Sequence, residues 1–103
     1  EALVLRDRNH PSVIIWSLCN EALCNTDNPA GDAARLKALS KVLDPSMGRL
    51  VSANSNTLNG PNTCLDLQGF DYSPESYDSW HKIAPHIPAI GSEVSSAVSD
   101  RGE

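Results

Sequence analysis

The fold of this chain is decided by two apolar runs, Val13-Ile14-Ile15-Trp16-Ser17-Leu18-Cys19-Asn20-Glu21 and Ile87-Pro88-Ala89-Ile90-Gly91-Ser92-Glu93. Short runs rich in β-branched residues are typical of buried strands. Each run ends on a glutamate, so both carboxylates are expected where a sheet meets a cleft. In a parallel α/β barrel, that end of the strands holds the active site. A pair of carboxylates placed in this way is also what a glycosidase requires.

The rest of the chain supplies helices and two further strands around these runs. We predict helices over residues 1–9, 33–43 and 74–84, and strands over residues 13–20, 49–53, 65–70 and 88–92. Asp32 is the predicted N-cap of the second helix, and Ser73-Pro74 starts the third. The polar stretches 21–31 and 54–63 are predicted loops, the second too short for a full crossover helix. This alternation indicates parallel βαβ units.

The number of strands leaves two architectures open. A (β/α)8 barrel has eight strands and about 250 residues, whereas this chain has 103 residues and four predicted strands. It is therefore either a small open α/β sheet or one part of a larger barrel. The chain begins in a helical pattern and without Met, so we expect that the true N-terminus is missing. Its first residues carry no signal-peptide pattern, and localisation stays unknown.

Composition narrows the partners and cofactors. The formal net charge of −5 argues against nucleic acid and against an anionic membrane, because both favour a basic face. No apolar run approaches the roughly 20 residues of a membrane-spanning helix. The three cysteines (Cys19, Cys24 and Cys64) lack the spacing of a disulfide framework, and we expect free thiols near the core. The histidines are isolated, so we predict no metal ligands among them.

Three polar pairs follow predicted strands, namely Asn20-Glu21, Asp71-Tyr72 and Ser92-Glu93. In a functional interpretation, Glu21 is a general acid and base and Glu93 an ionised nucleophile. Tyr72 would then donate a hydrogen bond that keeps a neighbouring carboxylate ionised. Each pair is also typical of an ordinary strand that ends at the protein surface. From spacing alone, this non-catalytic interpretation of the two glutamates is the simpler one. Trp16 and Trp80 are predicted core residues.

The stretch Arg6–Glu21 reads Arg-Asp-Arg-Asn-His-Pro-Ser-Val-Ile-Ile-Trp-Ser-Leu-Cys-Asn-Glu. It closely resembles the acid/base signature of glycoside hydrolase family 2, which includes β-galactosidases, β-glucuronidases and β-mannosidases. Gly69-Phe70-Asp71-Tyr72 resembles the family's sixth barrel strand, and Ile90-Gly91-Ser92-Glu93 its nucleophile motif on the seventh. The tail, residues 94–103, resembles the β-galactosidase-like members most. The resemblance covers essentially all 103 residues. It implies a partial (β/α)8 TIM barrel, roughly from the end of the third helix through the seventh strand.

The resemblance also assigns roles by position. Glu21 matches the general acid/base and Glu93 the nucleophile, while Asn20 matches the residue that binds the sugar 2-hydroxyl. Tyr72 matches the tyrosine beside the nucleophile. The implied activity is that of a retaining β-glycoside hydrolase with carboxyl groups about 5–5.5 Å apart. The substrate is then a carbohydrate. β-Galactosidase is the activity we expect, with β-glucuronidase and β-mannosidase as alternatives.

The sequence departs from the family pattern at two positions, and one rival hypothesis competes with this assignment. Cys19 stands where the family usually has Gly, and Asp71 where it often has Asn. The family's first three strands and its eighth have no counterpart here, so its other sugar and metal ligands cannot be assigned. The sequence indicates no cofactor, and a metal or a homo-oligomeric state of the full-length protein stays open.

The rival hypothesis is a non-enzymatic α/β interaction module or an inactive fragment, with Tyr72, Trp80 and the polar loops as its binding face. The separation of Glu21 and Glu93 distinguishes it from the glycosidase.

Overall fold

The chain forms four parallel strands connected by helices in a computed structural model that describes residues 1–21, 29–45, 48–56, 58 and 61–95. The elements in chain order are α1 (Ala2–Asp7), β1 (Ile15–Asn20), α2 (Pro29–Leu43), β2 (Leu50–Ser55), β3 (Leu67–Asp71), α3 (Tyr77–Ile83) and β4 (Ala89–Glu93). Two short 3-10 turns, Pro61–Cys64 and Pro74–Ser76, precede β3 and α3. Within the described ranges, no helix is long and apolar enough to cross a membrane.

The sheet has the strand order β1-β2-β3-β4, and each strand is parallel to its neighbour. In a singly wound α/β barrel, consecutive strands are neighbours all the way round, whereas a doubly wound sheet reverses its order at a switch point. The observed order follows the barrel pattern and confirms the predicted α/β class. Because the strands are parallel, their carboxyl ends, which are Asn20, Ser55, Asp71 and Glu93, all lie at one edge of the sheet.

The predicted elements are confirmed in type and order, and the differences lie at their ends. Helix α2 begins at Pro29, so Asp32 lies in its first turn and is not the N-cap. Proline and acidic residues both suit a first helical turn. Strand β2 continues through Asn54-Ser55, residue types that suggest a loop, because both pair with β3. Ser73 precedes a 3-10 turn and makes no side-chain cap hydrogen bond, and α3 follows that turn.

Two apolar clusters cover the helical side of the sheet. Trp16 packs with Val4 of α1, Ala33 of α2 and the buried side of β2. On α3, Trp80 is fully buried against Phe70, with ring centroids 6.2 Å apart in an edge-to-face arrangement. Its indole N–H donates to the Ile87 carbonyl oxygen at 3.0 Å. Both tryptophans are therefore core residues, as predicted.

A buried arginine, Arg49, fixes the opposite edge of the sheet, where the strands begin. Its guanidinium donates to the carbonyl oxygens of Val13 at 2.5 Å and His10 at 2.6 Å. It also forms an ion pair of 2.8 Å with Asp44, whose carboxylate accepts the indole N–H of Trp16. These hydrogen bonds from Arg49 and Trp16 hold the pKa of Asp44 below its ordinary value. The segment before β1 is thus anchored to the sheet through its backbone carbonyls.

The cysteines differ from the prediction of free thiols. Cys19, in β1, is disulfide-bonded, so the prediction is wrong for this residue. Cys64 is a free thiol of intermediate burial, as predicted. Cys24 lies outside the described residues.

Candidate active site

Three carboxylates from three different strands meet at the carboxyl edge of the sheet. Glu21 directly follows β1, Asp71 is the last residue of β3, and Glu93 is the last residue of β4. One oxygen from each carboxylate lies within 4.8 Å of the other two. Parallel pairing explains the convergence, because it brings distant parts of the chain to the same edge. The structure therefore brings together the two glutamates that the sequence singled out, and adds a third acid.

The backbone at this edge has an uncommon conformation. Glu21 has φ of 39° and Tyr72 has φ of 56°, and they are the non-glycine residues with positive φ in the described part of the chain. This left-handed region costs an ordinary residue about 1–2 kcal/mol. Such residues cluster at functional sites, where the surrounding structure holds them. Here the backbone N–H of Tyr72 donates to the Glu93 carbonyl oxygen at 2.6 Å, which ties the end of β3 to the end of β4.

The side chains of Tyr72 and Glu93 are also joined. The Tyr72 hydroxyl donates to Oε1 of Glu93. A hydroxyl donor fixes the orientation of the carboxylate that accepts its hydrogen bond. The side chains of Tyr72 and Glu93 are therefore in direct contact in the structure.

Asp71 was noted in the sequence as part of a polar pair at a strand end, but it was assigned no role. Its side chain is fully buried, and Oδ1 accepts a hydrogen bond of 2.6 Å from the Ser92 hydroxyl. Oδ2 is also buried, and no residue in the described ranges donates to it. The sequence carried one signal, an aspartate at a strand end where the resembling family often has asparagine. That signal gave no reason to expect the carboxylate beside both glutamates.

A close approach at Gly69 packs this polar layer together. A Cβ atom at this position would lie 2.6 Å from Oδ1 of Asn54 and 2.9 Å from the hydroxyl oxygen of Ser92. Both distances are shorter than real Cβ contacts allow. The absence of a side chain at Gly69 therefore lets Asn54 of β2 and Ser92 of β4 approach β3 closely.

Asn20 lies at the same edge, as the exposed last residue of β1. Its register partner on β2 is Asn54, after an irregularity in pairing between Ser17 and Asn20. The hydroxyl of Ser17 donates to Oδ1 of Asn54 at 3.3 Å. Amide and hydroxyl groups thus line the edge beside the acids, and such groups can bind sugar hydroxyls. The disulfide-bonded Cys19 immediately precedes Asn20.

The charges are sorted between the two ends of the sheet. The salt bridges among the described residues join Arg6 to Asp7, Arg49 to Asp44, and both Lys37 and Lys41 to Asp66. Burial works against the charge of Asp66, but hydrogen bonds from both lysines leave its pKa lowered. Arg49, the partner of Asp44, and Asp66 directly precede β2 and β3, whereas the three site acids follow or end strands. In the described chain, no cation pairs with the site acids.

Three close carboxylates are also a set of oxygen ligands that suits a hard cation. The prediction of metal ligands from the sequence considered the histidines, so it did not indicate this carboxylate set.

Sequential parallel strands with acids at their carboxyl edge define the class: an α/β barrel type with a carboxylate-based site. Comparison with known proteins identifies the family. The family described as glycosyl hydrolases family 2, TIM barrel domain, matches residues 1–100. The chain therefore belongs to this family, and the predicted family and partial (β/α)8 barrel fold are confirmed.

Individual relatives carry two specificities. The chain is 38% identical over 96 residues to human β-glucuronidase, covering 87% of this chain and 13% of that protein. It is 36% identical over 93 residues to a β-glucuronidase of Paenibacillus borealis, covering 89% and 15%. A β-galactosidase of Kluyveromyces lactis is 38% identical over 81 residues, covering 78% and 7%. The chain thus spans 7% to 15% of the length of these relatives.

Proposed function

We propose that this chain carries the catalytic pair of a retaining β-glycoside hydrolase. The observation that carries the proposal is the separation of Glu21 and Glu93, whose carboxylate oxygens lie within 4.8 Å of each other. Retaining enzymes place their carboxyl groups about 5–5.5 Å apart, whereas inverting enzymes need about 6.5–9.5 Å for an intervening water. A surface module without catalysis gives no reason for two like charges to converge, because their repulsion is unfavourable.

In the proposed mechanism the two glutamates act on opposite sides of the glycosidic bond. Glu93 attacks the anomeric carbon while Glu21 donates its proton to the leaving oxygen, so a covalent glycosyl-enzyme forms as the aglycone departs. Glu21 then removes a proton from water, which attacks the anomeric carbon and releases Glu93. Tyr72 positions the nucleophile through its bond to Oε1. Asn20 binds the 2-hydroxyl, as the resemblance implies.

We further propose that residues 1–103 are the central-to-C-terminal part of the catalytic barrel of a longer protein. Leu50 and Ile90 are 42% and 40% exposed. Val51, next to Leu50 on β2, and Phe70, which pairs with Gly91 next to Ile90, pack against the helices. Leu50 and Ile90 therefore lie on the other face, which lines the interior of a closed barrel. We therefore expect the isolated chain to lack activity. Cooperative monomeric unfolding of the 103-residue chain, together with turnover, would contradict this expectation.

β-Galactosidase is the activity that we assign, because the chain beyond Glu93 resembles that group most. β-Glucuronidase is the second candidate, and relatives with this activity match at 36% to 38% identity. A uronic acid substrate requires a cation for its carboxylate, and the described residues present none at the site. This charge balance favours the first candidate.

Hydrolysis of aryl β-glycosides by the full-length protein tests the proposal. Glu93→Gln should abolish turnover of every substrate. Glu21→Gln should slow a phenyl β-galactoside at least 100-fold but a dinitrophenyl β-galactoside far less, because a good leaving group needs no proton. Glu75→Gln, an exposed position before α3, is the matched control and should retain activity. Equal losses on both substrates in Glu21→Gln would refute the acid/base assignment.

A further inference from the structure

The catalytic proposal accounts for two of the three converging carboxylates and leaves Asp71 without a role. Its side chain is fully buried, so water does not screen it directly. Oδ1 binds the Ser92 hydroxyl, while Oδ2 has no hydrogen-bond partner among the described residues. Buried carboxylate oxygens are normally paired, and an unpaired one calls for an explanation.

The surroundings of Asp71 are negative. Its carboxylate lies within 4.8 Å of those of Glu21 and Glu93. At the other end of β3, about 16 Å away by strand geometry, Asp66 is balanced by two lysines at 2.7 and 2.9 Å. The described chain thus neutralises an aspartate before β3 but leaves the aspartate at its end uncompensated.

We propose that Asp71 is a specificity-determining residue that makes this site select uncharged sugars over uronic acids. The inference rests on the proposed function and deepens it. Two carboxylates suffice for a retaining mechanism, so the third adds only its charge and its hydrogen bond to Ser92. At an effective dielectric of about 20 and a separation of about 8 Å, roughly one sugar ring, two like charges lower relative binding by roughly thirtyfold.

A pair of ligands that differ in charge but share the same sugar ring and aglycone tests the inference. Phenyl β-galacturonide and its methyl ester are measured as inhibitors of 4-nitrophenyl β-galactoside hydrolysis by the full-length protein. A chelator is present, because a cation on the three acids would cancel their charge. The ester should inhibit at least tenfold more strongly than the acid. In Asp71→Asn, which keeps the shape and an acceptor for Ser92, this ratio should fall about tenfold or more.

Asp66→Asn is the matched control, since it removes the same charge at the other end of β3 and should leave the ratio within twofold. The ratio does not depend on how much enzyme is folded. If Asp71→Asn cannot be purified, the ratio of inhibition by the ester to inhibition by the acid in the unchanged protein still tests the inference. An ester that binds no better than the acid, including no inhibition by either, overturns the inference, as does an unchanged ratio in Asp71→Asn. Failure of the proposed function would show differently, as no hydrolysis of any neutral aryl β-glycoside.

Discussion

Replacing Tyr72 by phenylalanine should slow glycoside hydrolysis through the loss of the hydrogen bond to Glu93. The hydroxyl of Tyr72 donates to Oε1 of Glu93. Its backbone N–H donates separately to the Glu93 carbonyl oxygen at 2.6 Å. The second bond survives the substitution, so the ring should keep its place while the carboxylate loses its donor.

The size of the effect follows from the type of bond. A hydrogen bond to a charged group contributes about 1.5–3 kcal/mol, which corresponds to roughly 10- to 150-fold in kcat/KM. Tyr72 is 43% exposed, so water can replace part of the lost interaction. We therefore expect the lower end of this range, a loss of about tenfold.

The assay compares kcat/KM for 4-nitrophenyl β-galactoside in the full-length protein and its variants. Tyr77→Phe is the matched control, because Tyr77 is the other tyrosine of the chain and packs edge-on against Phe70 with ring centroids 5.3 Å apart. It should change kcat/KM by less than about twofold. A loss below twofold in Tyr72→Phe, or an equal loss in both variants, would refute the positioning role of the Tyr72 hydroxyl.

Three further predictions concern packing and pH. Gly69→Ala should destabilise the protein by about 1–3 kcal/mol and lower kcat/KM, because the new Cβ displaces Asn54 and Ser92; thermal unfolding and hydrolysis rates that match the unchanged protein would contradict this. Trp80→Ala should cost about 3–5 kcal/mol in denaturant unfolding, and a cost under 1 kcal/mol would exclude Trp80 from the core. The lowered pKa of Asp44 means that its pairing stabilises the fold above the ordinary aspartate value and is lost as pH falls through the lowered value. The Tm difference between the unchanged protein and Asp44→Asn should therefore shrink on acidification, and a constant difference would contradict the pairing.

Much of the fold was predictable because it depends on local patterns. The β-branched run before Asn20 specifies β1, and Ser73-Pro74 marks the start of the helical segment that contains Trp80. The end of β2 was missed because Asn54 belongs to the strand through its pairing with β1 and β3. Pairing partners are not encoded near the residue they stabilise, so strand ends were the least predictable feature.

The site was predictable in part for the same reason. Glu21 and Glu93 stood out because each ends an apolar run, and the resemblance around them suggested the separate roles that we propose for them. Asp71 ends a strand too, but its importance comes from burial and from two acids distant in sequence. The disulfide bond of Cys19 was also missed, because an odd cysteine count favoured free thiols.

Trapping the glycosyl-enzyme intermediate tests the central claim most directly. The full-length protein is incubated with a 2-deoxy-2-fluoro-β-galactoside that carries a good leaving group, and the labelled peptide is mapped by mass spectrometry. We predict time-dependent inactivation with one sugar attached to Glu93, and no labelling in Glu93→Gln. A label on any other residue, or steady hydrolysis with no covalent adduct, would contradict the retaining mechanism and the assignment of its nucleophile.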